Sequence, residues 1–246
     1  MRAIGAILKK ELGLYFHSFI FYFFGFIFTL LSGFILTITL YQFVRQTPMG
    51  GQFTVQYVVQ GVFGDIFGIL LLMFLPFFTM RLLAEERRQG SLELLFTSPV
   101  TATQVTMGKF LAAFLLLAGI LSVPLIYPAT LDLSTRVDWL PVLAIYLGAL
   151  LIGGTYVAIG LFFSSVTQNQ FIAAVLTLGA FLFFWLIGYV GHGTPAQPVF
   201  QYLSMLTHRE EFGRGVINTQ DVVYYLSSIF GWLFLTNRSL ESQGWR

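Results

Sequence analysis

The sequence predicts an all-α integral membrane protein, in which residues 1–246 form a single transmembrane domain of six helices. Hydrophobic residues make up 57% and charged residues 10% of the chain, and the mean hydropathy is +0.80. A soluble domain carries roughly 25% charged residues, so this chain has too few to cover a surface that faces water. The apolar residues form runs of about 20, the length with which a helix crosses a bilayer. The charges lie at the ends of these runs, so the net charge of +2 indicates membrane orientation rather than nucleic-acid binding.

Residues 1–17 are predicted to form an amphipathic helix at the membrane interface. Ile4, Ile7, Leu8 and Leu12 recur at helical spacing and share one face. Basic residues lie among them, as in helices that rest on a bilayer surface. The alternative is a solvated N-terminal tail. The apolar run that follows is too long for a signal peptide, so we expect it to remain as the first span.

Six apolar runs give the predicted spans. They cover about residues 19–43, 58–80, 105–128, 139–163, 171–190 and 222–235. Pro76 should kink the second span, because a proline inside a helix removes a backbone hydrogen bond. Pro124 and Pro128 should loosen the end of the third. The polar residues 168–170 lie in a tight turn and are expected to start the fifth helix.

The fourth span is rich in small residues spaced by four. The pairs are Ala144/Gly148, Ala149/Gly153 and Gly154/Ala158. This spacing lets helices approach closely, within a bundle or across a dimer. The alternative is that glycine is simply common in membrane helices.

The distribution of basic residues predicts the orientation. With six spans both termini lie on one side of the membrane, together with nine of the 13 Lys and Arg residues. An excess of basic residues marks the cytoplasmic side. Both termini and the charged stretch 81–101 are therefore expected in the cytoplasm.

No catalytic motif is recognisable, and the chain is not expected to be an enzyme. The fragment nearest to a phosphate-binding loop is Gly108-Lys109, but Thr103 stands where the first glycine should be. The three histidines are scattered: His17, His192 and His208. The absence of cysteine excludes disulfides, iron–sulfur clusters and thiol catalysis.

Asp65 is the only acid expected well inside a span and is a candidate intramembrane polar site. The outer boundary is only a turn or two away, so a cap that faces water is the alternative. No series of acids crosses the spans, which disfavours a transporter driven by protons or sodium.

The most charged stretch, RLLAEERRQGSLELLFTSPVT at 81–101, separates the second and third spans. Its first part should continue the second span as a helix, with the pairs Arg81/Glu85 and Glu85/Arg88 at helical spacing. Gly90 should end this helix.

A second, two-turn helix is predicted after the break. Ser91 is a good N-cap, and Glu93 in the first turn suits the positive end of the helix dipole. Leu92, Leu95 and Phe96 share an apolar face, and Pro99 stops the helix.

The segment EERRQGSLELLFTSPVT resembles the signature of permease subunits of type-2 ATP-binding-cassette exporters. The matching positions are Glu86, Arg88, Gly90, Ser91, Glu93, Leu95, Thr97 and Pro99. In that family this element forms the coupling helix that docks on the ATPase. The resemblance implies an ATPase-coupling site made of Glu85, Glu86, Arg87, Arg88, Gly90, Ser91, Leu92, Glu93, Leu94, Leu95, Phe96, Thr97 and Pro99. Residues 206–236 are similar to the gliding-motility branch of the family.

The resemblance also implies partners and location. The permease would bind no cofactor itself, because ATP and Mg belong to a separate ATPase subunit. A second permease copy or a homologous permease would complete the pathway in a bacterial inner membrane, among membrane lipid and without nucleic acid. An envelope auxiliary protein is a further candidate partner. Residues 191–221 would form a helical lid on the outer face, with apolar anchors at Phe200, Tyr202, Leu203, Leu206 and Phe212.

Two other functions remain open. One is a non-transporting anchor or assembly subunit of an envelope or gliding-motility machine. The other is an ion-coupled carrier or channel. The 28 phenylalanines favour an apolar cavity for a lipid-linked or amphipathic cargo, although phenylalanine that faces lipid explains the same count.

Overall fold

The computed structural model describes residues 2–46, 65–90, 100–133, 137–190 and 195–244, and every regular element within these ranges is a helix. The α-helices are α1 (Arg2–Phe16), α2 (Phe19–Gln46), α3 (Asp65–Thr79), α4 (Arg81–Arg88), α5 (Ala102–Ser122), α6 (Ile126–Asp132), α7 (Trp139–Val166), α8 (Gln170–Leu186), α9 (Gln197–Leu203), α10 (Met205–Gly213) and α11 (Thr219–Gly244). Short 3₁₀ turns follow α5 and α8, at Val123–Leu125 and Ile187–Tyr189.

Within the described residues, four helical stretches are long and apolar enough to cross a membrane. They are Phe21–Gln42, Ala102–Asp132, Trp139–Val166 and Gln170–Tyr189. They coincide with the first, third, fourth and fifth predicted runs. The second run lies partly outside the described residues. The sixth falls in α11, whose apolar run includes Tyr224, Tyr225 and Ser227 and does not reach the same apolar character. Six spans therefore stay a prediction.

Helix α7 is the centre of the bundle, and its small residues explain why. The position that a Cβ would occupy at Gly153 lies 2.6 Å from Leu117 of α5. At Gly148 the nearest atom is the Cβ of Phe212, from α10, at 2.5 Å. Close approach therefore occurs within the chain, which confirms the sequence expectation of tight packing within a bundle.

The prolines loosen the third apolar run as expected. Helix α5 ends at Ser122, a 3₁₀ turn contains Pro124, and α6 resumes at Ile126. The apolar stretch continues to Asp132, four residues beyond the predicted end at Pro128.

The second apolar run continues into the charged stretch as a helix over Arg81–Arg88, as predicted, but with an interruption at Met80. Helix α3 contains Pro76 and ends at Thr79, and Met80 forms a turn before α4 begins at Arg81. The amide of Met80 still donates to the Pro76 carbonyl at 2.9 Å. The break is possible because a side chain of α7, described below, bonds the exposed backbone groups.

Two short helices form the end of the bundle opposite to α4. Helices α9 and α10 lie within the predicted lid, whose residues 191–194 are outside the described part. Phe212 is buried, as expected for an anchor, but Tyr202 and Leu203 are exposed. Met205 and His208 are buried in their place. A new helix begins after Ser204. The buried residues of this region therefore differ from the anchors that the sequence suggested.

The contact between α3 and α7 gives a test of the packing. A Cβ added at Gly160 would lie 2.5 Å from the Cβ of the fully buried Thr79. We expect Gly160→Ala to force the helices apart and to lower the free energy of unfolding by about 1–3 kcal/mol. Thermal unfolding of the detergent-purified chain measures this. Gly179→Ala, where no atom lies within 4 Å of the added Cβ, is the control. An equal melting temperature for both variants would contradict the proposed contact.

Candidate functional site

Helix α4 is the described part of the predicted coupling site, and its start is capped by another helix. Its N-terminal neighbour Met80 supplies no side-chain cap. Instead the hydroxyl of Ser164, in the last turn of α7, accepts hydrogen bonds from the amides of Leu83 and Ala84 at 2.9 Å each. The same hydroxyl donates to the Met80 carbonyl at 3.0 Å. One buried side chain thus bonds three of the backbone groups that the helix break leaves without partners.

The other end of α4 is joined to α7 by an arginine. Arg87 Nη1 donates to the carbonyl of Ser165 at 2.9 Å. A cation at the end of a helix bonds carbonyls that have no partner there and suits the negative end of the helix dipole. Leu82, Leu83 and Ala84 are buried on the inner side. Helix α4 therefore lies fixed along the end of α7.

A buried lysine joins α4 to two further helices. Lys109 Nζ, from α5, lies 2.7 Å from Glu11 Oε1 of α1 and 3.0 Å from Glu86 Oε2 of α4. The Lys109 side chain is 3% exposed. Lys10 Nζ approaches the other Glu86 oxygen at 3.5 Å. Two carboxylates and two ammonium groups balance, as buried charges require. We call these four residues the charge cluster.

A glycine brings α1 close enough for this cluster. The Cβ position of Gly108 lies 2.8 Å from Ile7 Cγ2, so any larger residue would separate α1 from α5. Sequence reasoning noted Gly108-Lys109 only as a failed phosphate-loop fragment. The signal that it missed is a lysine inside an apolar helix, which requires an acid nearby, together with Glu11 on an amphipathic helix.

Tyr15 attaches the other end of α1 to α3. Its ring stacks on that of Phe78 with 4.7 Å between centroids, and its hydroxyl donates to the Phe78 carbonyl at 3.3 Å. Burial, assisted by the negative charge of Glu11, raises the pKa of Tyr15 well above its usual value. The hydroxyl therefore remains a donor. We call the region where α1, α4, the start of α5 and the end of α7 meet the charged end.

Gly90 ends α4 as the sequence predicts. Its φ of +70° lies in the left-handed region, which glycine adopts without steric cost. Eight of the site residues implied by the resemblance lie outside the described residues: Ser91, Leu92, Glu93, Leu94, Leu95, Phe96, Thr97 and Pro99. The structure resumes at Val100. Thr101 then caps α5 through a reciprocal pair of hydrogen bonds with Gln104. The predicted coupling helix, residues 91–98, which we call the coupling segment, thus lies between two described helix ends.

The predicted pairs Arg81/Glu85 and Glu85/Arg88 are wrong. Among the described residues, Glu85 instead accepts a hydrogen bond from Gln89 at 3.4 Å. Arg81 and Arg88 are exposed, where a surface ion pair contributes little and does not hold a geometry. The charges of α4 that have tertiary partners are Glu86 and Arg87, which face the bundle.

Asp65, the candidate intramembrane acid, is the first residue of α3, but its side chain lies outside the described part. Its candidate role stays a prediction. The groups searched in the described ranges include no cluster of three potential metal ligands.

The opposite end holds a buried polar pair that sequence reasoning missed. His208 Nδ1 lies 2.6 Å from Asp221 Oδ1, and its Nε2 lies 2.9 Å from the Tyr202 carbonyl. The ring stacks on Tyr224, with 4.0 Å between centroids. The pair joins α10 to α11. The available signal was the acid at the start of an apolar helix, thirteen residues after the histidine.

The bundle is thus an apolar body whose charged end is fixed by long-range polar contacts. The family model described as ABC-2 family transporter protein matches residues 52–207, which include α4 and the coupling segment. The chain belongs to the ABC-2 transporter family. Its apolar helices and the family together identify a multi-pass membrane protein of the permease type. A comparison with curated proteins found no match.

The cap on α4 gives a second test. Ser164→Ala removes the acceptor for two buried amides, and loss of a helix cap costs about 0.5–2 kcal/mol. We expect faster deuterium exchange of the amides of Leu83 and Ala84 and a lower melting temperature, measured by exchange mass spectrometry and thermal unfolding.

The matched control is Ser227→Ala. This exposed hydroxyl bonds only the Tyr224 carbonyl of its own helix. Exchange in α4 should remain at the wild-type rate in this variant. Unchanged exchange in Ser164→Ala would show that another group bonds these amides.

Proposed function

We propose that this ABC-2 family member is the membrane subunit of an ATP-driven exporter, with residues 91–98 docking on a separate ATPase subunit. The observation that supports this proposal is the double attachment of α4. This helix leads directly into the coupling segment through Gly90. It contacts α7 through Ser164 and Arg87, and it contacts α1 and α5 through the charge cluster. A displacement of the coupling segment would therefore move several helices together.

The proposed orientation places the charged end in the cytoplasm of a bacterial inner membrane. The excess of Lys and Arg on the side of both termini supports this orientation. The ATPase, with its ATP and Mg, then lies on the side where α4 ends. The chain itself is proposed to bind no nucleotide, since it has no phosphate-binding loop.

The proposed cargo is amphipathic or lipid-linked. Large apolar side chains are exposed along the two least buried candidate spans, which include Phe23, Phe26, Phe34, Phe171 and Phe183. These faces suit lipid, a second permease copy and an apolar pathway. A homodimer, or a pair with a homologous permease, would place two such faces together.

The docking segment is tested first. Leu95→Asp places a charge on the predicted apolar face of residues 91–98, and Glu93→Ala removes the acid of its first turn. We expect the ATPase to be lost from the purified Leu95→Asp complex, because an interface core does not accept an unpaired charge. Quantitative mass spectrometry of the subunits isolated with the tagged chain measures this.

The control is Ser242→Asp. It places a charge at an exposed position of α11, at the same end of the bundle. ATPase recovery equal to wild type in all three variants would contradict the docking assignment. A retained complex that hydrolyses ATP without moving any lipid probe in vesicles would favour the assembly-subunit alternative.

Transmission through the charge cluster is tested separately. Lys109→Met leaves Glu11 and Glu86 buried with the neutralising cation removed, which should release α4 from α1 and α5. The cysteine-free chain accepts spin labels at two introduced cysteines, at the exposed positions Gln89 and Val216. We expect the label distance in the ATPase complex to change between nucleotide-free and vanadate-trapped states. The change should disappear in Lys109→Met.

Lys9→Met, which removes an exposed lysine of the same α1 helix, is the matched control and should keep the distance change. Identical nucleotide-dependent distances in Lys109→Met and the control would exclude the charge cluster from coupling.

A further inference from the structure

An open cleft of about 540 Å³ lies at the charged end, between α3, α4 and the start of α8. Its polar wall consists of Arg88, Gln168, Asn169 and Gln170. The volume falls within the range typical of small-molecule sites. Met80, whose carbonyl accepts from Ser164, lines the cleft, but its described lining does not include Ser164, Glu86 or Arg87.

Among the described residues that line the cleft, Arg88 is the one that carries a charge, and that charge is positive. Glu86 and Arg87, its neighbours in α4, face Lys109 and the Ser165 carbonyl on the other side of the helix. Among the residues that the structure describes, Arg88 has no ion-pair partner, and its side chain is exposed. A guanidinium presents several N–H donors in a fixed plane, which matches the oxygens of a phosphate.

The side-chain amides opposite to Arg88 supply hydrogen-bond donors. Asn169 Oδ1 already accepts from the amides of Phe171 and Ile172, at 2.9 and 3.4 Å. Its NH₂ group is the part that remains for a ligand, and Gln168 and Gln170 each carry another NH₂ group. The backbone amides of Phe171 and Ile172 are occupied by the Asn169 cap, so the donors counted here belong to side chains.

The remaining lining is apolar and open to the surface. Phe77 and Phe171 are 52% and 70% exposed, and Met80 also lines the cleft. Phe171 is the second residue of the candidate span Gln170–Tyr189, so the cleft lies at the end of a membrane helix. An apolar surface directly beside a cation and three amides matches an amphiphile whose headgroup is anionic.

We propose that this cleft binds the phosphate of a membrane lipid, with Arg88 and the three amides on the phosphate oxygens and Phe77, Met80 and Phe171 against the acyl chains. The proposal needs the membrane location of the chain but not its coupling to an ATPase. It assigns Arg88, which the family resemblance places in the coupling site, to lipid contact.

The test uses the full chain purified in detergent and titrated with three probes. These are phosphatidylglycerol, diacylglycerol with the same acyl chains, and inorganic phosphate. Thermal unfolding gives the concentration of each probe that produces half of the maximal stabilisation. We expect phosphatidylglycerol to stabilise the wild type and diacylglycerol and inorganic phosphate to have little effect. Arg88→Gln should raise the half-effect concentration of phosphatidylglycerol about tenfold, because it removes a charge-assisted hydrogen bond.

Arg238→Gln is the matched control, since it removes another exposed arginine at the charged end, on α11 beside Glu241. Its half-effect concentration should equal that of the wild type. Equal stabilisation by diacylglycerol, or an unchanged response in Arg88→Gln, would overturn the proposal. Full stabilisation by inorganic phosphate alone would overturn the lipid assignment and leave a phosphate site. Loss of ATPase binding in Arg88→Gln with an unchanged lipid response would make the cleft a protein contact.

Discussion

The buried ammonium of Lys109 sets the arrangement of the charged end. An unpaired cation at 3% exposure would cost several kcal/mol, so the side chain requires carboxylates from elsewhere in the chain. The two that it meets come from α1 and α4, and the three helices are thereby joined at one point. Because Lys10 supplies a second positive charge, the four charges of the cluster sum to zero. The contact between the three helices therefore adds no net charge next to a membrane. The N-terminal helix is thus an integral part of the bundle rather than a separate surface element.

The contact between Lys109 and Glu86 is one of those that hold α4 against the bundle. Helix α4 is a short helix bounded by a turn at Met80 and by the left-handed Gly90, and it is bonded to neighbours on both sides. Its body is bonded to α7 through Ser164 and to α1 and α5 through the charge cluster. The proposed coupling role rests on these contacts of α4 with its neighbouring helices.

The sequence predicted the helices and breaks that depend on neighbouring residues. It missed the polar contacts between residues that are distant in the chain. Apolar runs, prolines and Gly90 located most helices and breaks, because these depend on neighbouring residues. The cap on α4 could not be predicted, because Ser164 lies about 80 positions from the amides that it bonds. Glu11 and Lys109 are likewise 98 positions apart. The helical pairs at Arg81/Glu85 and Glu85/Arg88 failed for a related reason, since spacing permits such pairs without requiring them.

The positions of the polar contacts also indicate where the bundle can change shape. Lys109 joins helices at one end, and His208 with Asp221 joins α10 to α11 at the other. Between them, the glycines of α7 hold α3, α5 and α10 at distances that leave no room for even a methyl group. Separation of these helices would expose polar groups or open voids, both of which are costly in lipid. Helices α2 and α8 have the least buried apolar windows, so their surfaces remain for exchange of lipid, cargo or a second copy. Because the start of α8 also lines the cleft at Arg88, a lipid bound there would contact both α4 and a helix with one of the least buried apolar surfaces.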